Sequence, residues 1–127
     1  MISLSKAELQ EQANKLKEQL SQSRADINAA FLSNRINFVE YNSCDLNLQK
    51  CDTECNNLFS ALLTTEFTEL VIDESSDAVR LVSATSKLSQ AAQSLANVRA
   101  FILAVADVVN AVTAIISMIS RIAALGI

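Results

Sequence analysis

The sequence predicts an all-α protein, either a long antiparallel helical hairpin or a coiled-coil bundle. Its N-terminal helix is expected either to continue the first arm or to fold back at Ser21–Ser23 over the apolar end of the last helix. Three observations carry that expectation. Stepping alternately three and four residues from Leu81 meets Ala84, Leu88, Ala91, Leu95, Val98, Ile102, Val105, Val109, Val112, Ile116, Ile119 and Ala123, all apolar. A second run in the same rhythm occupies the first half of the chain. The 127 residues contain one Gly and no Pro, and 50% of them are hydrophobic. A repeat averaging 3.5 residues keeps an apolar seam turned toward a partner helix. Sheets and sandwiches need turn residues at short intervals, and this chain has little material for them.

The first helix is expected to start near Ser5, because Ser5 and Glu8 have the spacing of a capping box. From Leu9 the rhythm runs through Ala13, Leu16, Leu20, Ser23, Ile27, Ala30, Asn34, Asn37, Tyr41, Cys44, Leu48, Cys51, Cys55, Leu58 and Leu62. Only Ser23, Asn34 and Asn37 break its apolar character. The phase never slips, so an arm of about 5–72 reads as one helix or as two with a break that preserves the register. If the arm is broken, Ser21–Ser23 and Asn42–Ser43 offer N-cap chemistry at which to break it. Glu11 and Lys15 stand in the favourable i,i+4 order.

The expected turn is 73–77, Asp-Glu-Ser-Ser-Asp. Ser75 or Ser76 can cap the next helix, and Asp77 suits the positive end of its dipole. A second arm then runs from about 76 to 125, roughly 75 Å long, with Gly126 as its stop. The β-branched residues from Ile102 to Ile119 would suit a strand by propensity, but their period is helical. Both arms make one helical domain, 1–127.

The second arm changes character along its length. From Leu81 to Leu95 its seam alternates Leu with Ala, which lets a partner helix approach closely. Beyond Ala100 two further rows turn apolar: Phe101, Val108, Ile115 and Ile122, then Ala104, Ala111, Met118 and Leu125. A thin polar strip remains, made of Arg99, Asp107, Asn110, Ser117 and Arg121. A helix that apolar must be covered by several neighbours or by lipid.

The charge pattern excludes some functions. The net charge is −4. Acids dominate 35–80, and no basic cluster exists to meet phosphates, so a nucleic-acid partner is not expected. The N-terminus lacks the basic start and apolar core of a secretory signal. The three cysteines cannot all pair internally, which favours free thiols and a cytoplasmic setting, with non-classical secretion as the other route.

Chemistry is also scarce. Cys44, Cys51 and Cys55 share one helix face, but zinc needs four ligands and the chain has no His to complete them. All three sit on the seam, where a reduced Cys acts as a small hydrophobe. Glu66, Glu69, Asp73, Glu74 and Asp77 gather at the expected turn and read as a solvated tip. Without His or a Gly-rich loop there is no nucleophile–base pair or phosphate cradle to point to. No catalytic residue, cofactor or metal ligand is therefore expected.

The seam residues Leu81, Leu88, Leu95, Ile102, Val105, Val109, Val112, Ile116 and Ile119 are the expected interaction surface, for a homo-oligomer or a helical protein partner. Phe101, Val108, Ile115, Met118, Ile122 and Leu125 are the expected second face, turned to lipid or to further subunits. Ala100–Ser120 approaches the ~20 residues needed to span a bilayer. Asp107 opposes insertion by about 2.5–3.5 kcal/mol near the centre. In layout the chain resembles helical-hairpin proteins that hide a hydrophobic segment: α-pore-forming toxins of the cytolysin-A type and coiled-coil secretion components. That likeness implies a membrane-active alternative, in which residues 100–125 stay concealed until they meet lipid. The hairpin would place its acidic turn and its apolar girdle at opposite ends, so the girdle would enter first.

Overall fold

A computed structural model of the chain, describing residues 1–95 and 97–125, shows a helical bundle with a small two-stranded sheet. In order the elements are β1 (Ile2–Ser5), α1 (Lys6–Leu32), α2 (Phe38–Thr64), β2 (Glu69–Ile72), a 3-10 helix (Asp77–Arg80), α3 (Leu81–Ser94) and α4 (Val98–Leu125). The helices pack in a ring: α1 on α2, α2 on α4, α4 on α3, and α3 on α1. The all-α bundle that the two apolar runs predict is therefore the fold; the N-terminal helix neither continues into the whole first arm nor folds back at Ser21–Ser23, but packs on α2 and α3.

The first expected arm is two helices. Ser21–Ser23 and Asn42–Ser43 both lie inside helices; the chain turns at 33–37 instead. Asn34 adopts the left-handed conformation (φ 63°), which Asn tolerates better than most residues. Asn37 caps α2 in a complete capping box: its side chain accepts from the Glu40 amide, and the Glu40 carboxylate accepts from the Asn37 amide. The turn returns the chain in the register it left. Leu9, Ala13, Leu16, Leu20, Ile27 and Ala30 of α1 thus bury against Cys44, Leu48, Cys51, Cys55, Leu58 and Leu62 of α2. The pair is tied laterally by Lys17 with Asp52 and Asn56, Arg24 with Asp45, and Tyr41 with Asn28.

At the other end, α2 stops at Thr64 and the chain extends. β2 pairs antiparallel with β1, Ile2 opposite Ile72 and Leu4 opposite Leu70. The alternation is that of a strand: Leu70 and Ile72 are buried, Val71 is exposed. The expected first arm therefore ends about eight residues early. The expected turn follows, closed by the Ser76 amide donating to Asp73 O and by the Ser75 amide and hydroxyl on the Asp73 carboxylate. Those two bonds hold the Asp73 carboxyl below its usual range. Ser76 caps the 3-10 helix through the Ala78 amide, and Ser5 caps α1 through the Glu8 amide.

The second expected arm is also broken. Leu95 ends α3 in the left-handed conformation (φ 36°, ψ 31°), and the Asn97 side chain accepts from the Ala100 amide near the start of α4. No Gly or Pro marks the bend. It folds α4 back along α3 and onto the 3-10 helix, so α4's C-terminal half and the acidic turn share one end of the molecule. This overturns the expected polarity of acid at one end and apolar girdle at the other. The proposed stop at Gly126 lies outside the described residues.

Candidate interaction surface

The fold distributes the expected seam unevenly. Leu81, Leu88, Leu95, Val105, Val112 and Ile119 are buried inside the single chain, whereas Ile102, Val109 and Ile116 are half-buried at the edge of α4. The expected second face is divided in the same way. Phe101, Val108 and Ile115 lie in the core, Met118 and Ile122 are half-buried, and Leu125 is 86% exposed. The cause is the bend at Leu95. It places α2 on one side of α4 and α3 with the 3-10 helix on the other, so one chain fills two apolar rows at once.

What remains outside on α4 is unusual for a helix in water. Arg99, Ala100, Leu103, Ala106, Asn110, Thr113, Ser117, Ser120 and Arg121 are exposed. Most are small or uncharged, in contrast to α1, whose exposed face carries Glu11, Lys15, Lys17 and Glu18. Helix α4 is long and apolar enough to cross a membrane by length and composition, and 39% of that apolar window is buried. Between α3 and α4 runs an open groove of about 790 Å³. Four alanines line it (Ala91, Ala100, Ala104, Ala106) with Gln90, Ser94 and Asn110, Leu103 is 59% exposed among them, and Lys87 and Asp107 add two charges. Neither of those charges has an ion-pair partner among the described residues.

The cysteines face the α1–α2 core. Burial pushes the Cys51 thiol up to about 12, with Cys55, Asp52 and Glu54 adding to it. Cys44 is pushed up to about 11 by burial and then Glu40. Cys55 reaches about 11 through burial, with Lys17 opposing and Asp52 adding, and its Sγ donates to Ala13 O at 3.8 Å. Protonated thiols are poor nucleophiles and poor ligands. Among the described residues no three His, Cys, Asp or Glu side chains converge as metal ligands would. The acidic residues are spent locally: Glu69 accepts from Ser3, Glu74 pairs with the N-terminus, and Asp77 pairs with Arg80. A second open groove, about 470 Å³ between α1 and α3, is lined by Glu8, Glu11, Lys15, Leu81, Thr85 and Ser89, without a nucleophile–base arrangement.

Two surface features escaped the sequence reading. The alanine-lined groove needs the α3–α4 bend to exist. The α1–α2 turn exposes Leu32, Phe38 and Val39, which fall off the seam on either side of a polar Ser-Asn-Arg stretch. That placement was visible, but it signals a tip only once the turn is located. Compared with protein families, curated proteins and solved structures, the chain shows no significant match.

Proposed function

We propose that this is a non-enzymatic helical-bundle assembly protein, and that its contact surface is the α3–α4 groove. The observation that carries the reading is that the most apolar helix is covered on its inner face only. Outside it offers small residues where a solvated helix would offer charges. Ala91, Ala100, Ala104 and Ala106 let a helix approach closely, and Leu103 supplies an anchor. The occupant is a second copy of this chain. Lys87 and Asp107 line one groove with opposite charge, so two copies related by a twofold axis set each Lys87 against the partner's Asp107. The buried seam then holds the protomer together, and the groove holds the assembly.

Sedimentation velocity at micromolar concentration tests this. The wild type should run as a dimer or larger, and Leu103→Asp should run as a monomer of unchanged helix content. Asp107→Lys should weaken association, and Asp107→Lys with Lys87→Asp should restore it. A wild type that stays monomeric throughout removes the assembly reading. The length and hydropathy of α4 support a second reading, a membrane-active helix that leaves the bundle on meeting lipid. Under that reading Asp107→Ala raises vesicle binding; under the assembly reading it does not.

A further inference from the structure

We propose that the α1–α2 tip docks on anionic phospholipid surfaces, shallowly and tip first. Leu32, Phe38 and Val39 enter the headgroup boundary while Arg35 meets lipid phosphates. This goes beyond the assembly reading and uses none of its residues.

Leu32, Phe38 and Val39 are 80%, 65% and 75% exposed, within eight residues of one another. The backbone beneath them is fixed. Ser33 donates to Ala29 O at 3.0 Å, Asn34 to Phe31 O at 3.1 Å and Arg35 to Ala30 O at 2.9 Å, and the Asn37–Glu40 capping box closes the other side. The Phe31 ring lies 6.3 Å from Phe38 and 4.8 Å from Tyr41, which buttresses the apolar knob from within. About one helical turn below, the Tyr41 hydroxyl donates to Asn28, so an amphipathic aromatic stands at the level where membrane meets water. The knob is held out by an ordered turn.

Charge decides the occupant and its orientation. Arg35 is exposed at the apex. Glu40, the nearest acid along the chain, is half-buried with its carboxylate accepting from the Asn37 amide. Glu66, Glu69, Asp73, Glu74 and Asp77 gather at the far end of the α1–α2 pair, roughly 40 Å away along 27-residue helices. An anionic surface repels that end and receives the tip. Area argues against a second copy as occupant. Three side chains supply a few hundred Å² of convex surface, below the ~800 Å² per partner of a stable interface. A bilayer needs no complementary shape.

The test is co-flotation of the full chain with phosphatidylcholine vesicles, alone or with phosphatidylglycerol added, at low salt. The wild type should float with the anionic vesicles, and added salt should release it. Phe38→Ser with Val39→Ser should lower partitioning at least tenfold, while Leu63→Ser, exposed on α2 near the acidic end, should not. Arg35→Ala should lower partitioning about fivefold on anionic vesicles and leave neutral vesicles unchanged; this arm stands even if the double variant misfolds. Absence of wild-type flotation overturns the proposal. So does flotation that survives the tip changes but falls with Leu103→Asp, which would assign the contact to α4. Loss of self-association in the tip variants, with flotation intact, overturns it in favour of a protein contact.

Discussion

Replacing Leu95 by Gly and, separately, by Ala reads out the backbone at the α3–α4 bend. Leu95 sits at φ 36°, ψ 31°, is 4% exposed, and donates its amide to Ala91 O at 3.0 Å. Either substitution empties a buried site, at a cost of about 2–5 kcal/mol. Ala keeps the left-handed penalty of roughly 1–2 kcal/mol, which Gly escapes. Gly in turn loses about 0.5–1 kcal/mol to the greater freedom of its unfolded chain. Both variants are therefore destabilised, and the backbone terms put Gly ahead of Ala by about 0–1.5 kcal/mol, which the extra buried methyl of Ala (about 0.8 kcal/mol) brings to near parity. In a helix running unbroken through position 95 Gly trails Ala by about 0.8–1.0 kcal/mol before that methyl is counted. Urea unfolding followed by far-ultraviolet circular dichroism measures both on one scale. Near-equal stabilities support the bend, and an Ala variant ahead of the Gly variant by about 1.6–1.8 kcal/mol, as an unbroken helix requires, refutes it.

The buried thiols should make the fold sensitive to alkali. Their folded pKa values of about 11–12 stand above the unfolded 9.0, so the unfolded state ionises first. Stability is then level below pH 9 and falls between pH 9 and about 12, as urea midpoints across that range will show. At pH 8 iodoacetamide should leave Cys44, Cys51 and Cys55 unmodified in native protein and alkylate all three in urea, by mass spectrometry. Val112→Asp buries a charge in the core and should cost at least ~3 kcal/mol. Val109→Asp, half-buried on the edge of α4, should cost roughly 1–2 kcal/mol by the same urea assay.

Much of this fold is written in apolar rhythm. The seam positions Leu9 to Ile27 and Cys44 to Leu62 are buried in the positions the 3.5-residue step assigns them. Asn34 and Asn37, the two neighbouring exceptions to that rhythm, are where the chain turns. The turn stayed hidden because it preserves the register across itself, and because the Asn-x-x-Glu spacing of Asn37 and Glu40 is a capping box without Ser or Thr. The short sheet was hidden because Leu70 also continues a helical spacing from Phe59 through Leu63 and Phe67; only pairing with Ile2–Ser5 makes 69–72 a strand. The bend at Leu95 has the weakest signal. Leu disfavours a left-handed backbone, and the seam spacing from Leu95 to Val98 to Ile102 crosses it without a slip. Burial of both α4 rows against α2 and α3 outweighs the local strain, and that is a tertiary effect no local pattern records. The two candidate surfaces depend on these turns, which is why the seam residues singled out from sequence proved largely internal.

The account turns on α4 folding back along α3, and a distance between spin labels measures that directly. Ser83→Cys on α3 and Ser120→Cys on α4 place labels at exposed positions, while the native thiols stay protonated and buried at neutral pH. Double electron–electron resonance should return a distance of roughly 20 Å plus the label arms, because the two helices pack at roughly 10 Å between axes and position 120 lies about 16 Å along α4 beyond the point opposite position 83. A single unbroken helix would separate the same labels by about 55 Å, at 1.5 Å per residue. A distribution centred near that longer value would contradict the α3–α4 bend, and with it the bundle and the groove.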